Sequence, residues 1–151
     1  MAVSTAFNAT FIGSGSLLVA CVEMWRQAGN TLHGVVTLCP VATAWCDRNG
    51  IGHIAPSDDQ AAWLGRDTFD YLFSIVNHAI TPAEILNLPT RRAINFHDSL
   101  LPKYAGFNAT AWAIMSNEAQ HGVTWHAMTA DVDGGDILLQ QMIDILDDEV
   151  A

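Results

Sequence analysis

The sequence predicts an α/β domain in which a mostly parallel, twisted sheet carries helices on both faces. Short apolar runs alternate along the chain with segments of helical periodicity, and turn residues separate most of them. Strands that alternate with helices favour parallel pairing, because a crossover helix returns the chain to the same end of the sheet. A hydrophobic content of 50% over 151 residues argues for a real core and against global disorder.

The elements follow one another in a regular order. Gly29 suits the C-cap of the first helix, and Thr81-Pro82-Ala83-Glu84 is typical of a helix start. Strands are predicted at residues 9–13, 34–38, 52–55, 71–76, 93–97, 122–128 and 137–145. Further helices are predicted at residues 17–28, 42–48, 59–64 and 108–115.

Charge and cysteine content exclude several classes of partner. With 16 acidic and 6 basic residues the formal net charge is −10, which repels phosphate backbones, so we expect no nucleic-acid partner. The cysteines Cys21, Cys39 and Cys46 lack CxxC spacing, which predicts reduced thiols in a cytoplasmic protein and no metal site. Neither a basic leader nor a run of about 18 apolar residues is visible, so we expect no secretion and no membrane span.

Two polar clusters stand out against the apolar strands. Asn95-Phe96-His97 ends one strand, and Asp131-Val132-Asp133-Gly134-Gly135-Asp136 follows a later one. Asn95 and His97 are two positions apart, so their side chains share one face of a strand. An amide, an imidazole and a carboxylate are the groups that acyl transfer to an amine requires. The clusters therefore predict a catalytic site.

The turn Gly13-Ser14-Gly15-Ser16 joins the first strand to the first helix and has two interpretations. Glycines there are required either by close strand–helix packing or by a ligand at the carboxyl end of the sheet. The turn lacks the complete GxGxxG pattern, so it does not support a dinucleotide cofactor.

Residues 94–106, INFHDSLLPKYAG, resemble the first signature of the formyltransferase family, and residues 122–126 with 131–138 resemble its second. This family transfers a formyl group from 10-formyltetrahydrofolate to an amine, in one-carbon metabolism. The resemblance implies a Rossmann-like fold and a single catalytic domain over residues 1–151. Residues 105–112 are most similar to formylation domains of peptide and polyketide assembly lines. That similarity implies an acceptor amine that is a small molecule or is carried by a synthetase, in natural-product biosynthesis.

The resemblance also assigns roles to residues. Asn95 and His97 would donate hydrogen bonds to the oxyanion, and Asp133 would orient His97, favour its protonated form, or pass protons through water. The formyl donor would contact Phe73, Ile75, Val76, Ile80, Thr129, Asp131 and Gly134, largely through backbone groups. The acceptor would contact Gly13, Ser14, Gly15 and Ser16, and Ser99 would place either the acceptor or its own loop. Asp98 stands where the family commonly has Pro, and His126 either supports the site or packs in its strand.

Two alternatives remain at this level. The same residues would serve a hydrolase with water as acceptor, which would resemble formyltetrahydrofolate deformylase. A folate-binding or docking module without turnover would also retain the motifs. Family members usually continue beyond the last predicted strand, so we expect either a minimal domain or a truncated part of a longer chain.

Overall fold

The computed structural model describes residues 6–146, so both ends of the predicted 1–151 domain lie outside the described residues. The chain divides into two compact units, one extending to Ala93 and the other beginning at Ile94.

The first unit alternates strands and helices as the sequence predicts. Its strands pair in the order β3-β2-β1-β4, and every one of these pairings is parallel. The strands are β1 (Asn8–Gly13), β2 (Thr31–Val36), β3 (His53–Ile54) and β4 (Tyr71–Ile75). The helices are α1 (Gly15–Gln27), α2 (Pro40–Arg48), α3 (Gln60–Leu64) and α4 (Ala83–Leu86).

The core of the first unit lies between the strands and the long helix α1. Leu18 and Val22 are buried on α1, and Leu72 is buried on β4. Phe11 stacks on Phe73 with ring centroids 5.0 Å apart, and the Trp25 ring meets both edge-on. Each fully buried apolar side chain stabilises the fold by about 1.5–3 kcal/mol. These side chains therefore fix β1, which leads into the turn at Gly13–Ser16.

Most element boundaries differ from the predicted ones by one to three residues, and two of these differences have a clear local explanation. β2 begins at Thr31, before the predicted start at residue 34, because Thr31 and Leu32 continue the parallel pairing with β1. The predicted helix at 42–48 begins at Pro40, because proline fits the first turn of a helix, where its missing N–H has no partner to lose.

The second unit contains β5 (Arg92–His97, of which the last four residues fall in this unit), α5 (Ala109–Met115), β6 (Gln120–Ala127) and β7 (Ile137–Asp144). β6 pairs antiparallel with both β5 and β7, unlike the strands of the first unit. The segment between β6 and β7 is too short for a crossover helix, so the chain reverses there. β7 is exposed along its whole length, including its apolar side chains.

Among residues 6–146, no helix is long and apolar enough to cross a membrane.

Candidate active site

The second unit brings an amide, two imidazoles and a carboxylate together. In the β5–β6 register Asn95 lies opposite His126, and His97 lies opposite Thr124. Directly opposed residues of an antiparallel pair point to the same face, so Asn95, His97 and His126 share one face of this sheet. Asp133, in the loop after β6, approaches the same face with its carboxylate.

His97 has a polar neighbour at each ring nitrogen. The residue is 7% exposed, and its Nε2 lies 2.9 Å from the carbonyl oxygen of Tyr104. A carbonyl oxygen only accepts, so Nε2 carries a proton. Nδ1 lies 3.7 Å from Oδ2 of Asp133. A cationic imidazole in this orientation would face an acceptor on each side.

Asp133 is fixed by both the backbone and its neighbours. Its Oδ2 accepts a hydrogen bond from the Gly106 backbone N–H at 2.8 Å, and its Oδ1 lies 3.5 Å from Nε2 of His126. The residue has a φ of 52°, in the left-handed region that non-glycine residues rarely adopt. Strained backbone of this kind is concentrated at functional sites, where the surrounding structure holds it.

Of the two glycines that follow Asp133, Gly135 has a clear structural reason. A Cβ atom at this position would overlap the carbonyl group of Ala127 at the end of β6. The loop therefore returns against the strand only because residue 135 has no side chain.

His126 is a site residue that the sequence left undecided. The residue is 2% exposed, and its Nδ1 donates to its neighbour's carbonyl oxygen, that of Ala127, at 2.9 Å. With the proton on Nδ1, a neutral ring accepts at Nε2, where the amide nitrogen of Asn95 lies 3.1 Å away. His126 thus lies between Asn95 and Asp133. Strand alternation could have identified its face, but not its partner.

Backbone groups of the loop after β5 complete the site. The Tyr104 carbonyl contacts His97 and the Gly106 N–H contacts Asp133. Sequence reasoning missed both residues because backbone groups have no sequence signature. Ser99, a predicted acceptor contact, is fully buried and donates to the Lys103 carbonyl oxygen at 2.6 Å. Its hydroxyl therefore shapes the loop, which is one of the two predicted roles of Ser99, and its contact with the acceptor stays a prediction.

The Asp98 side chain contacts α5 rather than His97 or Asp133. Its carboxylate accepts a hydrogen bond from the Thr110 hydroxyl, in the first turn of α5, at 3.0 Å. The Asp98 carboxylate thus holds the start of this helix.

In the first unit, the predicted turn Gly13–Ser16 packs tightly against the end of β4. Gly13 has a φ of 146°, and a Cβ there would overlap the Ile75 carbonyl. Ser14 donates to the backbone twice, from its N–H to Ile75 and from its hydroxyl to Val76 at 2.8 Å. These contacts favour the packing interpretation for Gly13 and Ser14, whereas Gly15 and Ser16 begin α1. Ligand contact by this turn stays a prediction.

Predicted contacts to the formyl donor in the first unit separate into two kinds. The Phe73 side chain belongs to the aromatic layer of the core, and Ile75 is fully buried. Their side chains therefore pack within the protein, so the predicted contact of these two residues with the donor would be made by their backbone atoms. Val76 and Ile80 are exposed, and Val76 has a φ of 50°, which is strained for a β-branched residue.

In the second unit, the predicted donor contacts Thr129, Asp131 and Gly134 are exposed in the loop that leads to Asp133. The Thr129 hydroxyl donates to the Asp131 carbonyl oxygen at 3.1 Å, which shapes the start of this loop. The structure thus keeps these residues next to Asp133. Within residues 6–146, no group of at least three His, Cys, Asp or Glu side chains is arranged to hold a metal ion.

A sequence profile described as Formyl transferase matches residues 70–151, just over half of the chain. A methionyl-tRNA formyltransferase of Anaeromyxobacter dehalogenans is 29% identical over 93% of this chain and 50% of its own length. A GDP-perosamine N-formyltransferase of Brucella melitensis is 35% identical over 54% of this chain and 32% of its own length. The chain thus spans at most about half the length of these relatives.

A solved structure also matches the whole described fold. A formyltetrahydrofolate deformylase from Pseudomonas syringae superposes with a TM-score of 0.84 over 97% of this chain and 54% of its own, at 17% sequence identity. At that identity the likeness concerns the fold, and it confirms the predicted Rossmann-like α/β class.

Proposed function

We propose, from the premise that the chain belongs to the formyl transferase family, that it transfers a formyl group from 10-formyltetrahydrofolate to an amine. The observation that carries this proposal is the convergence of Asn95, His97, His126 and Asp133 on one face of the second unit. Family membership supplies the reaction class, and the arrangement supplies each group that this reaction needs.

Asn95 is the donor that we assign to the developing oxyanion. When the amine attacks the formyl carbon, the carbonyl electrons move to oxygen and leave a negative charge there. The Asn95 amide gives one N–H to His126, and the second has no recorded acceptor among the described residues. This second N–H fits a formyl oxygen, so the amide is suited to the donor's reactive group.

His97 and Asp133 act as a pair on the protons in this mechanism. The attacking amine must lose a proton, and the folate nitrogen that leaves must gain one. One oxygen of Asp133 faces His97 and the other faces His126. In this position Asp133 can orient His97 and can accept the proton of the attacking amine, directly or through water. The Tyr104 carbonyl keeps the His97 ring from turning while this happens.

The formyl donor would be held near Asp133 by the loop that precedes it. Thr129, Asp131 and Gly134 are exposed there and offer backbone groups, which suit the amide-like edges of a pterin. Val76 and Ile80 of the first unit remain predicted contacts to the donor.

The acceptor that we propose is the amino group of a small molecule or of an aminoacyl group on a carrier protein, in natural-product biosynthesis. The similarity of residues 105–112 to formylation domains of assembly lines supports the carrier-bound amine. The net charge of −10 disfavours tRNA, although one relative is a methionyl-tRNA formyltransferase. We place the reaction in the cytoplasm because Cys21, Cys39 and Cys46 are all free thiols.

Mass spectrometry of a reaction with an amine panel tests the proposal. The protein would be incubated with 10-formyltetrahydrofolate and amino acids, amino sugars, a nucleotide amine or aminoacylated carrier protein. We expect one acceptor to gain a single formyl group. Tetrahydrofolate and free formate without any acceptor would instead identify a deformylase. Folate binding without consumption would identify a non-catalytic module.

A further inference from the structure

The ring of His97 depends on a backbone carbonyl that is itself held in an unusual conformation. Tyr104, whose carbonyl accepts from Nε2 of His97, has a φ of 56°. L-residues avoid this left-handed region because the Cβ crowds the backbone. Some other contact must therefore keep Tyr104 in the conformation that presents its carbonyl to His97.

The side chain of Tyr104 supplies that contact. Its hydroxyl donates to Oε1 of Glu118 at 2.8 Å. The ammonium group of Lys103 pairs with the same carboxylate oxygen. Two successive residues of the loop are thus bound to one acceptor. These contacts lower the pKa of Glu118, the Lys103 bond contributing most, so the carboxylate stays ionised at neutral pH.

Glu118 is a rigid anchor because its own backbone is tied to α5. Its N–H donates to the Ala113 carbonyl oxygen at 3.0 Å, directly after the last turn of that helix. The Glu118 side chain is 27% exposed, which shields its contacts partly from water. The opposite end of the loop is fixed by the bond from Gly106 to Asp133. Tyr104 therefore lies between two anchored points.

We propose that Glu118 is a positioning residue for His97. By binding the Tyr104 hydroxyl and the Lys103 ammonium group, it holds the loop so that the Tyr104 carbonyl keeps His97 in one tautomer and one orientation. The kinetic consequence rests on the proposed formyl transfer, whereas the state of the His97 ring is independent of it.

NMR of protein labelled with ¹⁵N in its histidine rings tests the proposal without any substrate. The His97 signals would be assigned by their loss in His97→Gln. In the wild-type protein we expect a single Nε2–H tautomer with a slowly exchanging proton. In Glu118→Ala and in Tyr104→Phe we expect mixed tautomers and faster exchange of that proton. Glu118→Gln keeps an acceptor for Tyr104 and should restore most of the wild-type signal.

Glu84→Gln is the matched control, because Glu84 is an exposed carboxylate in the first turn of α4. It should leave the His97 signals unchanged. Unchanged His97 signals in both Glu118→Ala and Tyr104→Phe would overturn the proposal. If Glu118→Ala does not fold, as judged by circular dichroism, Tyr104→Phe decides the question, since it removes only the hydroxyl that binds Glu118.

Kinetics provide the second arm of the test. Glu118→Ala should lower kcat about 10- to 100-fold with little change in KM for the amine, since it misplaces His97 without touching the acceptor. The double variant with Tyr104→Phe should be no slower than either single variant, because both remove one interaction. A raised KM with normal kcat would overturn the proposal. If the wild-type protein transfers no formyl group, the proposed function fails and the NMR result still decides the role of Glu118.

Discussion

The two units of this chain bury different kinds of polar side chain. In the first unit the buried polar side chains are hydroxyls, and the core is made of aliphatic residues and an aromatic layer. In the second unit the buried polar residues include the imidazoles of His97, His121 and His126. Burying a titratable ring costs stability unless hydrogen bonds compensate it, so its presence indicates a role other than packing.

Backbone strain follows the same division. Of the non-glycine residues with positive φ, Val76 belongs to the first unit, whereas Tyr104, Asn108, Asn117 and Asp133 belong to the second. Tyr104 and Asp133 both contact His97. We infer that the parallel unit contributes mainly stability and that the antiparallel unit accepts strain in order to hold the candidate site.

His97→Ala is expected to have the largest effect on activity. A small effect would contradict the inferred difference between the two units. It removes the ring that faces both Asp133 and Tyr104, so formyl transfer should fall by about 10²–10⁴-fold. Thermal unfolding should show that the fold is kept. Steady-state kinetics measure the loss, with Glu84→Gln as a control that should keep full activity. Near-normal turnover would remove His97 from the mechanism.

Leu72→Ala tests whether the first unit contributes mainly stability. Leu72 is fully buried on β4, so truncation should cost about 2–5 kcal/mol of the free energy of unfolding. Urea unfolding measures this cost, and Leu72→Met, which keeps the volume, should cost less than about 1.5 kcal/mol. Below the unfolding transition, kcat should be unchanged. A large drop in kcat of the folded variant would show that the first unit does more than stabilise.

His126→Ala sharpens the account of the second unit. Without the ring, Asn95 loses the acceptor that orients its amide, and Asp133 loses a neighbour. We expect transfer to slow by about 10- to 100-fold, less than for His97→Ala. His126→Gln offers an amide oxygen to Asn95 and should recover part of the rate. Equal losses in His97→Ala and His126→Ala would mean that His126 takes part in the chemistry directly.

Acid unfolding gives the smallest expected effect and concerns the first unit. The Asn8 backbone N–H, followed by the Thr90 hydroxyl and the Arg91 guanidinium, holds the pKa of Asp70 below its ordinary value. As pH falls, the Asp70 carboxylate is therefore protonated in the unfolded state before it is protonated in the folded state. Asp70 thus contributes stability at pH values above its ordinary pKa, and this contribution is lost as pH falls through the lowered pKa of the folded state. Urea unfolding between about pH 6 and pH 3 should show a shallower loss for Asp70→Asn than for wild type. The same pH slope in both would contradict this contribution.

Much of the site could be predicted, and the remainder has a physical explanation. The spacing of Asn95 and His97 predicts their common face, because side chains alternate along a strand. The partner of Asn95 depends on the β5–β6 register, which nothing local in either strand specifies. Tyr104 and Gly106 act through backbone groups, so their side chains gave no reason to select them. Ser99 had two predicted roles, and only its burial and its bond to the Lys103 carbonyl show that it shapes the loop.

The sequence by itself determined what is local: the alternation of strands and helices, the turn at Gly13, and the residue types of the candidate catalytic motifs. These follow from periodicity and from φ preferences, which act over a few neighbouring residues. Only the tertiary structure decided which groups meet. Asn95 binds a histidine 31 positions away, and Gly106 binds a carboxylate 27 positions away. Such distances are set by strand register and loop packing, which depend on the whole unit rather than on any one segment of it.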